Sequence, residues 1–449
     1  MPYQSENGNL TLTLSGDAML TRRLSVFQEP DFLALRQVFQ ESDVGFTNLE
    51  GAVHRYEASP GILSGTFTCT PPELLEDLRW LGINLVTCAN NHAFDWGEAG
   101  VLATIRNLAA AGIAYAGIGQ HLSAARAPAY LDTLNGRVAL VAATSFFRPW
   151  NVAASQGRDV VGRPGVSALR FDTTYQVDAS ALGELRRIGA KLGLEAEKER
   201  TRSFGFSGPG ETPQDTDTQF HFLGAKFVRG EDFSTHTSPH PGDMKDILRW
   251  VREARRQADW VVVSHHYHEP GGEAFKTAQR RSELEEPAEF VRAFALECFA
   301  AGTDVFVAHG PHKSLGVEVY QGRPLFYSLG GLVFQNETVR WLPDFAYGRF
   351  DMAGEATPAD FFDRREGAHP REPVWWENTI ARVRFQGRKL AEIVLYPLDQ
   401  GFGRPRPQRG RPMLARGEHA TRILQRIQRL SVPYGTRMDI VDGTGVVRL

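Results

Sequence analysis

The sequence predicts an α/β protein with largely buried sheets, and three observations carry that prediction. Apolar, β-branched runs recur along the chain and end in polar residues or glycine: LTLTLSGD, VGFTNLE, INLVTCANNH, YAGIG, RVALVAATS, DWVVVSHH, DVFVAHG and PLFYSLGG. Helical patterns lie between several of these runs, and strands alternating with helices give sheets covered on their faces. Ionisable side chains gather where the runs end, which is where open α/β sheets place their ligand sites.

The polar start, MPYQSENGNLTLTL, passes straight into strand alternation. It has no basic stretch, long apolar stretch or cleavage site, so no signal peptide is expected. PELLEDLRWLG and AGVLATIRNLAAAG carry apolar residues at i, i+3, i+4 and i+7, with glycine where each helix should stop. PAEFVRAFALECFAAG repeats the pattern before DVFVAHG. From about 148 to 243 the rhythm breaks. ASALGELRRIGAKLGLEAEKE reads as a surface helix, and SFGFSGPGETPQDTDTQFHF, rich in Gly, Pro, Thr and Asp, reads as an insertion or mobile lid. The expected organisation is a catalytic domain over 1–345, with the insertion at about 150–245, and a C-terminal extension over 346–449. That extension holds a loop-rich stretch to about Trp375. The runs TIARVRFQG and LAEIVLYPL then read as a hairpin extending the sheet, followed by a helix, HATRILQRIQRLS, and a last hairpin, MDIVDGTGVVRL.

Composition narrows the function classes. With 449 residues, 42% apolar and 23% charged, the chain suits a soluble enzyme with a large core. A net charge of −3 gives no general pull toward nucleic acid or membrane. The arginines of RPRPQRGRP (404–412) read as a solvated loop, so no nucleic-acid partner is expected. No stretch reaches the ~18 apolar residues of a membrane span, so no membrane anchor is expected. Cys69, Cys88 and Cys298 show no CxxC spacing, which fits a reducing compartment, and the expected location is the cytoplasm. The sequence sets no oligomeric state.

The strand ends carry the chemistry. LTLSGD ends in Asp17 and VGFTNLE in Glu50. LVTCANNH ends in Asn91 and His92, VVVSHHYHE in His265, His266, His268 and Glu269, and FVAHGPH in His309 and His312. Each residue alone is a common turn or hydrogen-bonding residue. Five ends in register are harder to explain that way, and six of the 13 histidines fall in three of them. Mixed carboxylate, amide and imidazole donors suit one or two divalent transition ions, Mn, Zn or Fe, rather than Mg or Ca. Asp95 follows His92 by one helical turn, a spacing that can orient the imidazole. Arg148, in SFFRPW, and Arg163, in VVGRPG, are candidates for holding a substrate anion, although a surface arginine beside a proline turn is the simpler reading of each. Trp375 and Trp376 read as packing, with a peptide groove as the alternative.

GDAML (16–20), NLEG (48–51), ANNHAFDWGEAGVLATIRNLAAAGI (89–113), HHYHE (265–269) and AHGPHKSLGVEVYQGRPLFYSLGGLVF (308–334) resemble the CapA family. That family is named for poly-γ-glutamate capsule synthesis and lies within the metallophosphoesterase-like (calcineurin-like) superfamily. The resemblance runs in order over about residues 10–334. It implies a four-layer α/β/β/α sandwich with a metal centre at the strand ends. By it, Asp17, Glu50, Asn91, His266, His309 and His312 are metal positions, and His92, held by Asp95, works on the substrate. Members often carry histidine where this chain has Gly310, so the site is expected to be one imidazole short. Members also often carry asparagine where this chain has Gly331, and glycine where it has His268.

The resulting expectation is a metal-dependent enzyme acting on a peptide or amide substrate of the polyglutamate type, with His92 as general acid or base. Three alternatives accompany it. A peptide epimerase would set His265 and His268 across the site from His92 as a second base, a hydrogen bond from His268 to the insertion being equally compatible with the sequence. The other two are a phosphoesterase and a non-catalytic accessory protein of capsule polymer synthesis. His265, Glu269, Arg148 and Arg163 are the expected substrate-binding residues, and His92, Asp95 and His268 the expected catalytic ones.

Overall fold

The computed structural model describes residues 8–62, 66–204, 213–352, 354–368 and 372–449. The chain divides into two compact units. The first comprises Met1–Leu169, Gly242–His268 and Ala295–Leu449; the second comprises Arg170–Pro241 and Glu269–Phe294. Residues 150–169 and 346–449 therefore belong to the first unit.

In chain order the strands of the first unit's two large sheets are β1 (Leu10–Met19), β2 (Val44–Leu49), β3 (Leu85–Thr87), β4 (Ala114–Ala116), β5 (Ala129–Thr133), β6 (Gly136–Thr144), β7 (Trp260–His266) and β8 (Val305–His309). There follow β9 (Val317–Tyr320), β10 (Arg323–Phe326), β11 (Gly331–Phe334), β12 (Glu377–Gln386), β13 (Lys389–Asp399), β14 (Met413–Leu414), β15 (Met438–Val441) and β16 (Thr444–Val447). Among the described residues one sheet runs β15-β16-β13-β12-β1-β2-β3-β4, with β11 also on β1 and β14 on β13; the other runs β9-β10-β8-β7-β6-β5. Both sheets mix parallel and antiparallel pairs, so the fold is mixed α/β.

Alternation builds the core between the sheets. Leu10, Leu12 and Leu14 of β1 share one apolar cluster with Val138 and Leu140 of β6, Val262 of β7, and Val305 and Val307 of β8. Residues two apart on a strand face the same way, so each set presents one face. A second cluster joins Leu49, Val86 and Ile380 of the first sheet to Phe32, Leu35, Phe39, Leu75, Leu78, Val101 and Leu108, from the helices Pro30–Gln40, Leu75–Leu81 and Gly97–Ala111. The last two of these helices stop at Gly82 (φ 109°) and Gly112 (φ 65°), as their sequences predict, because glycine takes the left-handed cap without strain.

Parallel pairing brings the polar ends together. β1 runs parallel to β2, with Asp17 opposite Asn48, and parallel to β11, with Asp17 opposite Gly331. β7 runs parallel to β6 and β8, with His266 opposite Thr144 and His309. The hairpin read from TIARVRFQG and LAEIVLYPL is β12 and β13, and β12 pairs antiparallel with the first half of β1, Leu10 opposite Phe385. Just past β13, Gln400 Nε2 donates to the carbonyl oxygens of Gly331 (3.0 Å) and Leu332 (2.9 Å). Within the stretch expected to be loop-rich, the helix Pro358–Ala368 buries Phe361 and Phe362 in a cluster with Ala52, Phe67 and Trp96.

The second unit has a sheet of its own, ordered Gln219–Phe222, Ala225–Arg229, Phe171–Val177 and Ser234–Pro239. Val177, Leu182 and Phe220 form its small core. The single surface helix expected here is two helices, Ala179–Lys191 and Leu194–Ser203, parted at Gly193 (φ 74°). Of the segment expected as insertion or lid, residues 205–212 lie outside the described residues. Among the described residues no helix is long and apolar enough to cross a membrane.

Candidate metal centre

The site is built around Asp17. A Cβ on Gly16 would stand 1.8 Å from the Gly330 carbonyl oxygen, so glycine at 16 is what lets β1 approach β11. Asp17 N then donates to that oxygen at 2.8 Å. Its side chain is fully buried. Oδ1 accepts from Asn48 Nδ2 at 2.8 Å, and Oδ2 accepts from Gly310 N at 3.1 Å. His309 Nδ1 lies 3.3 Å and His266 Nδ1 3.8 Å from Oδ1, while His312 Nδ1 is 2.9 Å from Oδ2. Burial opposes ionisation of Asp17, but hydrogen bonds and charge from His309 and His312 outweigh it and hold the carboxyl well below its usual range.

Among the described residues two sets of donor atoms converge: Asp17, His266 and His309, and beside them Glu50, His268 and His312. In each set the ligand atoms lie within 4.8 Å of one another. The donor chemistry of the first set fits a cation. Asn91 Oδ1 is 2.7 Å from His266 Nε2; a carbonyl oxygen only accepts, so that nitrogen carries the proton and leaves a lone pair on Nδ1, toward Asp17 and His309. His309 Nδ1 is 3.0 Å from His266 Nδ1, and His309 Nε2 is tied to Ser264 Oγ at 2.8 Å. Burial drives the His266 pKa well below its ordinary value, which keeps that lone pair available.

Glu50 is the clearest indicator for the second set. Both its carboxylate oxygens are buried and accept no hydrogen bond from the described residues. The nearest imidazole nitrogens are His312 Nδ1 at 3.7 Å and His92 Nε2 at 3.8 Å, beyond hydrogen-bond length. Burial, followed by the negative charges of Asp17 and Asp95, pushes its pKa well above the ordinary carboxylate value. A buried acid placed beside two others with no donor of its own suits a cation.

His92 stands at the rim of this second set. Its Nδ1 bonds Asp95 Oδ2 at 2.7 Å, and the same oxygen accepts from Thr68 N at 3.0 Å. The expected hold of Asp95 on His92 is therefore present, with Nε2 turned toward Glu50. Asn90 shapes the turn: its Nδ2 donates to Asn48 Oδ1 and Leu49 O, and its Oδ1 accepts from His92 N.

The structure brings together Asp17, Glu50, Asn91, His92, Asp95, His266, His268, His309 and His312. It does not bring His265 to them. Adjacent residues on a strand face opposite ways, and His265 lies buried beside the rings of Tyr267 (5.8 Å) and Phe306 (6.4 Å); burial pushes its pKa down to about 3. Glu269 belongs to the second unit. Arg163 is spent on the Val152 carbonyl at 2.7 Å, and Arg148 is exposed.

Gly310 contributes its backbone to the site rather than a side chain. At φ 113° its Cβ would meet the Tyr267 oxygen at 2.2 Å, so no imidazole fits there, and its N–H serves Asp17 instead. Sequence reasoning passed over Asn48 and Ser264, which hold Asp17 and His309. Asn48 sits inside the NLEG block, but the partner that gives it meaning comes from parallel register 31 residues away.

Fold and site together define a mixed α/β protein whose strand ends, from both large sheets, present a candidate metal centre. The profile of the bacterial capsule synthesis protein family, PGA_cap, matches residues 11–336, and the chain belongs to that family. It is 33% identical over 455 residues to the uncharacterized protein y4sH of Sinorhizobium fredii, covering 98% of this chain and 93% of the relative. It is 31% identical over 153 residues to the PGA biosynthesis protein CapA of Bacillus subtilis, covering 30% of this chain and 37% of that one. To the capsule biosynthesis protein CapA of Bacillus anthracis it is 22% identical over 345 residues, 75% and 62% of the two chains.

Proposed function

We propose that this chain is a metal-dependent hydrolase of the metallophosphoesterase-like type, acting on an amide bond of a γ-linked, polyglutamate-like substrate. The observation that carries the reading is the pair of adjacent donor sets with Asp17 touching both. The names of the two CapA relatives, which speak of PGA and of capsule biosynthesis, support the substrate class. The three buried free thiols suit a reducing compartment, and we place the protein in the cytoplasm.

Asp17, His266 and His309 would hold one divalent transition ion, of the Mn, Zn or Fe class, and Glu50, His268 and His312 a second. Such ions supply Lewis acidity, an acidified water and a polarised carbonyl. The chain's own residues do the rest. Asn91 fixes the His266 tautomer. Asp95 accepts the Nδ1 proton of His92 and presents Nε2 to the substrate. As water adds to the carbonyl carbon, Nε2 takes the proton the water loses, and it passes that proton to the leaving nitrogen as the C–N bond breaks. The epimerase alternative asks for His265 and His268 across from His92; His265 faces away from the site, which leaves that role to His268 alone, a member of the second donor set.

The test is metal content by mass spectrometry together with turnover of a γ-linked glutamate oligomer in Mn²⁺. Wild type should carry up to two equivalents and shorten the oligomer. Asp17→Ala should lose both metal and turnover, and His92→Ala should keep the metal and lose turnover. Turnover of a generic phosphoester but no oligomer would replace the amide reading with a phosphoesterase. A wild type that takes up no metal would leave an accessory role.

A further inference from the structure

The loop leaving β6 carries two exposed side chains that belong to neither donor set. Phe146 is 41% exposed, yet its ring centroid is 4.4 Å from that of His268. Its backbone is pinned on both flanks. Ser145 N donates to the His266 carbonyl at 3.0 Å, and Thr144 Oγ1 donates to the Phe146 carbonyl at 3.1 Å. Two residues on, Arg148 is exposed and makes no side-chain hydrogen bond or ion pair among the described residues. Its carbonyl accepts from Asn151 N at 2.8 Å, so this backbone is fixed as well. A half-exposed ring beside His268 and, two residues further along the same anchored loop, an exposed guanidinium are the pair a substrate would meet there.

We propose that Phe146 and Arg148 form a substrate subsite next to the donor sets, in which the ring receives methylene groups and the guanidinium a carboxylate. The occupant is a γ-linked glutamyl chain. Its main chain runs through the side-chain methylenes, so each residue presents a pair of CH₂ groups and then a carbon bearing a free carboxylate. An apolar plate two residues from a cation matches that alternation. An α-linked glutamate peptide has no methylene pair in its main chain and matches it less well. The assignment rests on the amide-substrate reading and names the part of that substrate the loop would hold.

The experiment is calorimetric titration of a γ-linked glutamate trimer, and of its α-linked isomer, into the full chain in Mn²⁺. Wild type is compared with Phe146→Ala, Phe146→Leu and Arg148→Gln. Covering the exposed part of the ring predicts that Phe146→Ala weakens γ-trimer binding on the order of 10-fold, with Phe146→Leu restoring most of it. Arg148→Gln should weaken it by a similar factor and flatten its salt dependence. Metal content should match wild type in all three, which separates substrate contact from support of His268. Unchanged γ-trimer affinity in Phe146→Ala and Arg148→Gln would overturn the subsite, as would a loss that tracks metal content. Wild type that binds the trimer without cleaving it would refute the hydrolase reading and leave the subsite standing. Cleavage unaffected by either variant would do the reverse, and a wild type that neither binds nor cleaves would refute both.

Discussion

Glu50 should make the protein less stable without metal and more stable with it. Both its oxygens are buried without a hydrogen-bond donor among the described residues, and Asp17 and Asp95 add negative charge. Leaving a buried polar group unsatisfied costs about 1–3 kcal/mol, and more when it is charged. Glu50→Gln keeps the shape and removes the charge, so in EDTA the variant should be more stable than wild type by about 1–3 kcal/mol. In Mn²⁺ the order should reverse. Binding to the folded state adds about 4.1 kcal/mol at a ligand excess of about 1,000 Kd, more than the advantage in EDTA, and the variant, with one donor weakened, should gain less. Urea unfolding midpoints in EDTA and across a Mn²⁺ series measure both effects. A variant no more stable than wild type in EDTA, or one that gains as much from Mn²⁺, would refute the reasoning.

Three further outcomes follow from the geometry. Gly310→Ala forces a Cβ to within 2.2 Å of the Tyr267 oxygen at φ 113°, so it should cost at least ~2 kcal/mol and lower metal content by disturbing the Gly310–Asp17 bond; urea unfolding and mass spectrometry read the two effects. Asp95→Asn should keep the metal while lowering kcat on the γ-linked oligomer by about 10²-fold, and a variant turning over normally would remove Asp95 from the mechanism. Burial, against the opposing charge of Glu57, holds the His54 imidazole below its ordinary value. The unfolded chain therefore binds more protons than the folded one just below pH ~6.5. That stability is complete above the unfolded value and is lost as pH falls through it toward the lower folded value. His54→Gln should flatten the decline of the urea midpoint between about pH 7.5 and 5.5, and an unchanged slope would assign it to other groups.

The donor sets were legible because their members end strands, and a strand end is visible in sequence wherever an apolar run gives way to Asp, Glu, Asn or His. Pairing across strands was not. Nothing in VVVSHH or FVAHG states that His266 and His309 lie side by side, since that comes from parallel register. The facing of His265 could have been read: neighbours on a strand point opposite ways, so an HH pair delivers one imidazole to a site. The second unit's strands were hidden for a different reason. FDTTYQV is half-buried at most along most of its length, and a strand that buries little leaves little apolar signal. Phe146 escaped notice because an aromatic after a strand reads as packing until its exposure is known.

The family profile ends at residue 336, but the strand that carries Asp17 is not complete there. Its antiparallel neighbour, β12, begins at Glu377, and Gln400 reaches back to tie down the β11 backbone beside Asp17. A fragment cut at the end of the profile would expose one side of the first half of β1, Leu10 to Leu14, as a row of open backbone donors and acceptors, an invitation to pair with another copy. The stretch that inheritance marks is therefore shorter than the sheet that carries Asp17, and an expressed fragment should run at least through Gln400.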